Sequence, residues 1–137
     1  MRVVTLARMA DTEGHAALPR VLVVDDDQSI RFLCRVNLEL DGYEVLEAES
    51  LATAREMLAK EDVDVVLLDV HLHGERSDEL VIECHARRPP VPVVVVTGSA
   101  DVTEERLTEA DAILPKPFEL GELLGTVRIL ARVHAHR

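Results

Sequence analysis

Aromatic residues are nearly missing from this chain: one Tyr, two Phe and no Trp, together 2% of 137 residues. Stacked rings cannot build the core, yet 47% of the residues are hydrophobic. Val, Leu, Ile and Ala must therefore fill it, a composition that suits parallel strands covered by helices on both faces. Cysteine is scarce too: Cys34 and Cys84 make no disulfide framework. Positive charge is in deficit, with 15 Lys and Arg against 26 Asp and Glu and a net charge of −11. That balance argues against DNA or an anionic membrane as partner. No apolar run approaches the roughly 18 residues of a membrane span. The opening MRVVTLARMADTEGH lacks the apolar stretch of a signal peptide. The expected compartment is the cytoplasm. The length suits one domain, large enough to bury its apolar surface without disulfides or a structural metal.

What is present alternates strand-like and helix-like segments at short intervals, the pattern of an α/β domain. Residues 1–19 form an expected leader without clear periodicity, containing Gly14 and Pro19. Val21–Val24 reads as a first strand, stopped by Asp25-Asp26-Asp27. Ser29 is placed to cap a helix carrying Ile30, Leu33 and Cys34 on one face, with Gly42 just past its end. Tyr43–Leu46 is a second strand, and Leu51, Ala54 and Leu58 stripe a second helix. Val63–Leu68 is the third strand and ends on Asp69. A loop, His71–Ser77, leads to a helix holding Leu80, Val81 and Cys84, closed by Pro89, Pro90 and Pro92. Val93–Val96 and Ala112–Leu114 are the fourth and fifth strands. Leu120, Leu123, Leu124, Val127, Leu130 and Ala131 give the last helix a 3.6-residue stripe. Between Gly98 and Ala112 only Leu107 offers a clear apolar anchor, so the fourth helix of the pattern is expected to be shortened.

Polar residues gather at the C-terminal ends of these strands: Asp25 and Asp26 after the first, Asp69 after the third, Thr97 after the fourth, Lys116 beyond the fifth. In an open parallel sheet that edge is where ligands bind. One such residue means no more than a cap or a turn, but five at four strand ends point to a site. Their chemistry suits phosphoryl transfer. Neighbouring carboxylates repel by about 4 kcal/mol per pair at roughly 4 Å and moderate dielectric. A hard divalent cation relieves that and prefers oxygen ligands. An ionised Asp can then serve as nucleophile, Lys116 as a mobile positive charge and Thr97 as a hydroxyl donor. Gly98 leaves space beside them.

Four segments, VLVVDDDQSIR, VVLLDVHLHG, VVVVTG and LPKPF, resemble the signature segments of response-regulator receiver domains, in their usual order and over about residues 20–133. The resemblance implies a flavodoxin-like fold: a five-stranded parallel sheet of order 2-1-3-4-5 with helices on both faces. It makes Asp69 the phosphoacceptor. Asp25, Asp26, Asp69 and the backbone carbonyl of His71 become the ligands of Mg2+ or Mn2+, Thr97 the switch hydroxyl, and Lys116 the lysine that contacts the phosphoryl group. It also implies a cis bond at Lys116–Pro117. Expected partners are a histidine kinase or histidine phosphotransfer protein and a downstream protein target. Catalysis is expected to be confined to the domain's own phosphorylation and dephosphorylation. Residues 134–137 are read as a tail. With no output domain in the residues given, signalling is expected to pass by protein–protein contact or onward phosphotransfer.

Two departures stand out, one in the loop after the nucleophile and one in the readout. His73 stands where the family usually has proline, and Ile113 where it usually has the Tyr or Phe that turns inward on phosphorylation. The alternative they leave open is a protein-interaction module independent of phosphorylation. Three other readings are weaker. His71 and His73, even with His134 and His136, lack a further ligand at convincing spacing for a transition metal. Cys34 and Cys84 fall on helices expected on opposite sheet faces, where a redox pair could not form. A phosphatase of the haloacid dehalogenase type wants Asp two residues after its nucleophile, where this chain has His71.

Overall fold

The structure, a computed structural model, describes residues 18–72, 75–98 and 109–135. Five strands form one parallel sheet: β1 (Arg20–Val24), β2 (Glu44–Ala48), β3 (Val65–Asp69), β4 (Val93–Thr97) and β5 (Ala112–Pro115). Their spatial order is β2-β1-β3-β4-β5, the expected 2-1-3-4-5. Register places Val24 beside both Ala48 and Leu68, and Asp69 beside Val96. The C-terminal strand ends therefore share one edge of the sheet. Four helices are described: α1 (Gln28–Leu40), α2 (Leu51–Lys60), α3 (Asp78–His85) and α4 (Leu120–Ala135). A two-residue antiparallel ribbon pairs His71–Leu72 with Glu75–Arg76, between β3 and α3.

Strand side chains alternate between faces, and each face has its own core. Leu22, Val24, Val66, Leu68, Val93 and Val95 pack with Leu51, Ala54 and Leu58 of α2 and Leu80, Val81 and Cys84 of α3. Val21, Val23, Val65, Leu67, Val94 and Val96 pack with Cys34 and Leu38 of α1 and Leu123, Val127 and Ala131 of α4. The central strands are buried on both sides, which is why they read as unbroken apolar runs. Cys34 and Cys84 are free thiols in opposite cores. Burial raises Cys34 to about 11 and Cys84 to about 12, so both stay protonated.

Three local expectations need correction. Helix α1 is capped by Asp27, not Ser29: the Asp27 carboxylate accepts from the backbone N–H of Ser29 at 2.9 Å and of Ile30 at 3.4 Å. An anionic cap also satisfies the positive end of the helix. Leu33 does not face the sheet. The inward stripe is Cys34 and Leu38 with Ile30 packed against them, while Phe32, Leu33, Val36 and Leu40 are exposed. Strand β3 begins at Val65 instead of Val63; Asp64 stays tied to Arg20, its N–H donating to Arg20 O at 2.8 Å, but its carboxylate, not a backbone carbonyl, accepts from Arg20 N–H at 2.7 Å. Gly42 does end α1, at a φ of +101° that side chains rarely adopt.

Ion pairs tie the layers at their margins. Arg55 of α2 donates to both carboxylate oxygens of Glu83 on α3 at 2.8 Å. Arg128 of α4 reaches Asp41 at the end of α1, at 2.9 Å. Asp111, entering β5, accepts from Val93 N–H at 2.8 Å and lies 2.8 Å from His85 Nε2, anchoring the end of α3. The leader up to residue 17, His73, the shortened helix expected between Gly98 and Ala112 (apart from 109–111), and His136 lie outside the described residues. Among the described residues no helix is long and apolar enough to cross a membrane.

Candidate functional site

Each element delivers one part of the site. The β1 chain passes from the core straight into Asp25, which is 3% exposed. Its backbone N–H donates to Ala48 of β2 at 3.0 Å, so the residue still belongs to the sheet. Its side chain accepts from Asp27 N–H at 2.8 Å, inside the turn that starts α1. Asp26 stands half-buried beside it. Strand β3, buried along its whole length, ends on Asp69, itself 5% exposed. Carboxylate oxygens of Asp25, Asp26 and Asp69 lie within 4.8 Å of one another.

Lys116 supplies the counter-charge. Its ammonium lies 3.6 Å from Asp69 Oδ2 and 3.9 Å from Asp25 Oδ2. Its backbone N–H donates to Thr97 O at 2.7 Å, extending the β4–β5 pairing by one residue. The Lys116–Pro117 bond is cis, as expected; Arg88–Pro89 is cis as well. Gly98 packs beside this lysine: a Cβ on it would stand 3.4 Å from Lys116 Cβ and 3.5 Å from Cδ, in ordinary van der Waals contact. Thr97 is buried at the end of β4. His71 occupies the ribbon two residues past Asp69. The structure thus brings Asp25, Asp26, Asp69 and Lys116 together, with Thr97 and the His71 backbone on the same edge.

The electrostatics fit a cation. Burial, above all, raises Asp25 from 3.8 to about 6; neighbouring Asp69 adds to this, while the Asp27 N–H and Lys116 oppose it. A single lysine does not balance three carboxylates. Oxygen donors from three side chains at this separation, two of them withdrawn from solvent, match the preference of a hard divalent ion. Among the described residues no other group of three His, Cys, Asp or Glu side chains comes this close.

Two residues that sequence reasoning missed hold the frame. The Arg31 guanidinium donates to Asp25 O at 2.6 Å and to Glu47 at 3.0 Å, bridging α1, the β1 end and β2. Ser77 is 3% exposed, and its hydroxyl contacts Val70 O at 2.9 Å and Asp69 O at 3.1 Å. Their contacts with the Asp25, Asp69 and Val70 carbonyls have no sequence signature, because every residue carries that acceptor.

A doubly wound sheet with this acidic, lysine-flanked edge is the arrangement of a signalling receiver module. Residues 21–128 match the family described as response regulator receiver domain, and the chain belongs to that family, the receivers of two-component response regulators. It is 36% identical over 116 residues to the response regulator MprA of Mycobacterium leprae, covering 82% of this chain and 51% of that protein. The match to MprA of Mycobacterium ulcerans is 37% over the same length. The chain spans about half the length of the curated relatives it matches. Among solved structures it is similar to the CheY-like receiver domain protein of Methanospirillum hungatei, with a TM-score of 0.80, 28% identity and coverage of 88% of this chain and 98% of that one. It is also similar to the response regulator TrrA of Thermotoga maritima, solved in complex with Mg2+–BeF, with a TM-score of 0.75, 28% identity and coverage of 82% and 98%.

Proposed function

We propose that this domain, with boundaries at residues 20 and 133, accepts a phosphoryl group on Asp69 in a Mg2+-dependent reaction with a phosphohistidine donor. The observation that carries the reading is the cluster of Asp25, Asp26 and Asp69 oxygens within 4.8 Å, with the Lys116 ammonium 3.6 Å from Asp69. The Thermotoga relative, solved with Mg2+–BeF, supports the same ligand chemistry here.

Asp25 and Asp26, Asp69 and the His71 carbonyl would hold the ion. When bound, Mg2+ neutralises the carboxylates and draws charge from the phosphoryl oxygens. A carboxylate oxygen of Asp69 attacks phosphorus; the P–N bond to the donor imidazole breaks and its electron pair stays on the ring nitrogen. The step is an in-line exchange in which positioning and charge supply most of the acceleration. Lys116, already between Asp69 and Asp25, meets the charge gathering on a phosphoryl oxygen. Thr97 donates to another from the end of β4. The donor is a histidine kinase or phosphotransfer protein, and the message leaves by contact with a protein target in the cytoplasm.

Incubation with acetyl phosphate and Mg2+ should give a single base-labile phosphoryl addition in the intact mass, and none with chelator. A missing addition, or one that survives mild base, would overturn the reading. The exposed Ile113 on edge strand β5 favours a second one, output through contact alone, and that reading expects partner binding to be indifferent to acetyl phosphate.

A further inference from the structure

We infer that Ser77 is a positioning residue for the metal-binding loop, acting through the backbone carbonyls that its hydroxyl holds. The inference rests on the Mg2+-dependent reading above and adds a residue to it.

A serine just before a helix ordinarily accepts a hydrogen bond from the first free N–H groups of that helix. Ser77 does not. Its backbone is already helical, at φ −63° and ψ −29°, and its side chain makes no cap bond to α3. Asp78 and Glu79 offset the helix dipole in its place. The hydroxyl points back along the chain, donating to Val70 O at 2.9 Å with Asp69 O at 3.1 Å. Both carbonyls belong to the chain leaving the nucleophile.

The consequence is a loop clamped at both ends. The Val70 N–H donates to Val96 O at 3.1 Å, so the Asp69–Val70 peptide is fixed on its N–H side by β4. The single Ser77 O–H proton, directed at the Val70 carbonyl and shared with Asp69 O, bears on the C=O side of that peptide and on the next carbonyl. The peptide after that carries the His71 carbonyl, the backbone ligand proposed above. Leu72, fully buried in the α2–α3 core, and the His71–Arg76 pairing hold the chain that follows Val70. Removing the hydroxyl would leave the Asp69–Val70 peptide held through its N–H alone and release the Val70 carbonyl, so that the Val70–His71 peptide plane can rotate. Metal affinity depends on such outer contacts, whose loss typically costs about 10–100-fold.

The test uses Mn2+ alone as probe, with free ion counted by electron paramagnetic resonance, on wild type and on Ser77→Ala, Ser77→Thr and Asp26→Asn. Ser77→Ala should weaken Mn2+ binding about tenfold. Ser77→Thr, which keeps the hydroxyl, should stay within about threefold of wild type, a rescue that a purely space-filling role would not produce. Circular dichroism confirms that each variant is folded, and Thr serves if Ala does not fold: loss of affinity in folded Ser77→Thr would overturn the inference. Unchanged affinity in folded Ser77→Ala would also overturn it, leaving the functional reading intact. Absence of Mn2+ binding in wild type, or equal binding in Asp26→Asn, would overturn both.

Discussion

Asp25 shows how much the site depends on what is brought to it. Its carboxyl is raised from 3.8 to about 6, chiefly because burial disfavours the charged form. A carboxyl that binds its proton more tightly in the folded state stabilises that state below its unfolded pKa. The stabilisation is lost as pH rises through the folded pKa. In metal-free protein, raising pH from about 4 to about 6 should therefore remove about 2 kcal/mol through Asp25. Urea unfolding in chelator, compared with Asp25→Asn, measures it. The wild type should lose stability relative to the variant across that window, and parallel profiles would contradict the assignment. Millimolar Mg2+ should flatten the difference by favouring the ionised form. At this scale the sequence was legible where a functional side chain ends an apolar run, as with Asp69 and Asp25. It was silent about Arg31 and Ser77, which reach the site through backbone carbonyls that any residue would offer.

Elements were legible in proportion to how completely they are buried. Strands β3 and β4, closed on both faces, stand out as apolar runs, and the inner stripe of α4 follows its periodicity. Helix α1 misled because its outer face carries Phe32, Leu33, Val36 and Leu40 in the open, so hydrophobicity alone did not mark the inward side. Charge misled at its start, where Asp27 displaced Ser29 as the cap. Burial also ranks the contacts energetically. Leu38 is fully buried between α1 and the sheet, so Leu38→Ala should cost about 2–5 kcal/mol. The Arg55–Glu83 pair has good geometry, but its side chains are 43% and 46% exposed, and Arg55→Ala should cost under about 1 kcal/mol. Denaturant midpoints of the two variants check the ranking. Equal losses would mean that the exposed ion pair contributes as much as a fully buried core leucine, against this ranking.

For the whole molecule, two cores on either side of one sheet hold the strand edge rigid while three carboxylates crowd it. Ion binding to the folded state alone raises stability by mass action. Millimolar Mg2+ should therefore raise the melting temperature of wild type, and much less that of Asp26→Ala; equal shifts would place the ion elsewhere. The order of the strands was legible only through the resemblance, since no periodicity dictates which strands pair. The central claim is that Asp69 is the acceptor. After reaction with acetyl phosphate and Mg2+, borohydride reduction converts an acyl phosphate to an alcohol, and peptide mass mapping finds which residue became homoserine. The account predicts homoserine at position 69 alone and no conversion in Asp69→Asn. Homoserine at Asp25 or Asp26, or conversion that persists in Asp69→Asn, would contradict it.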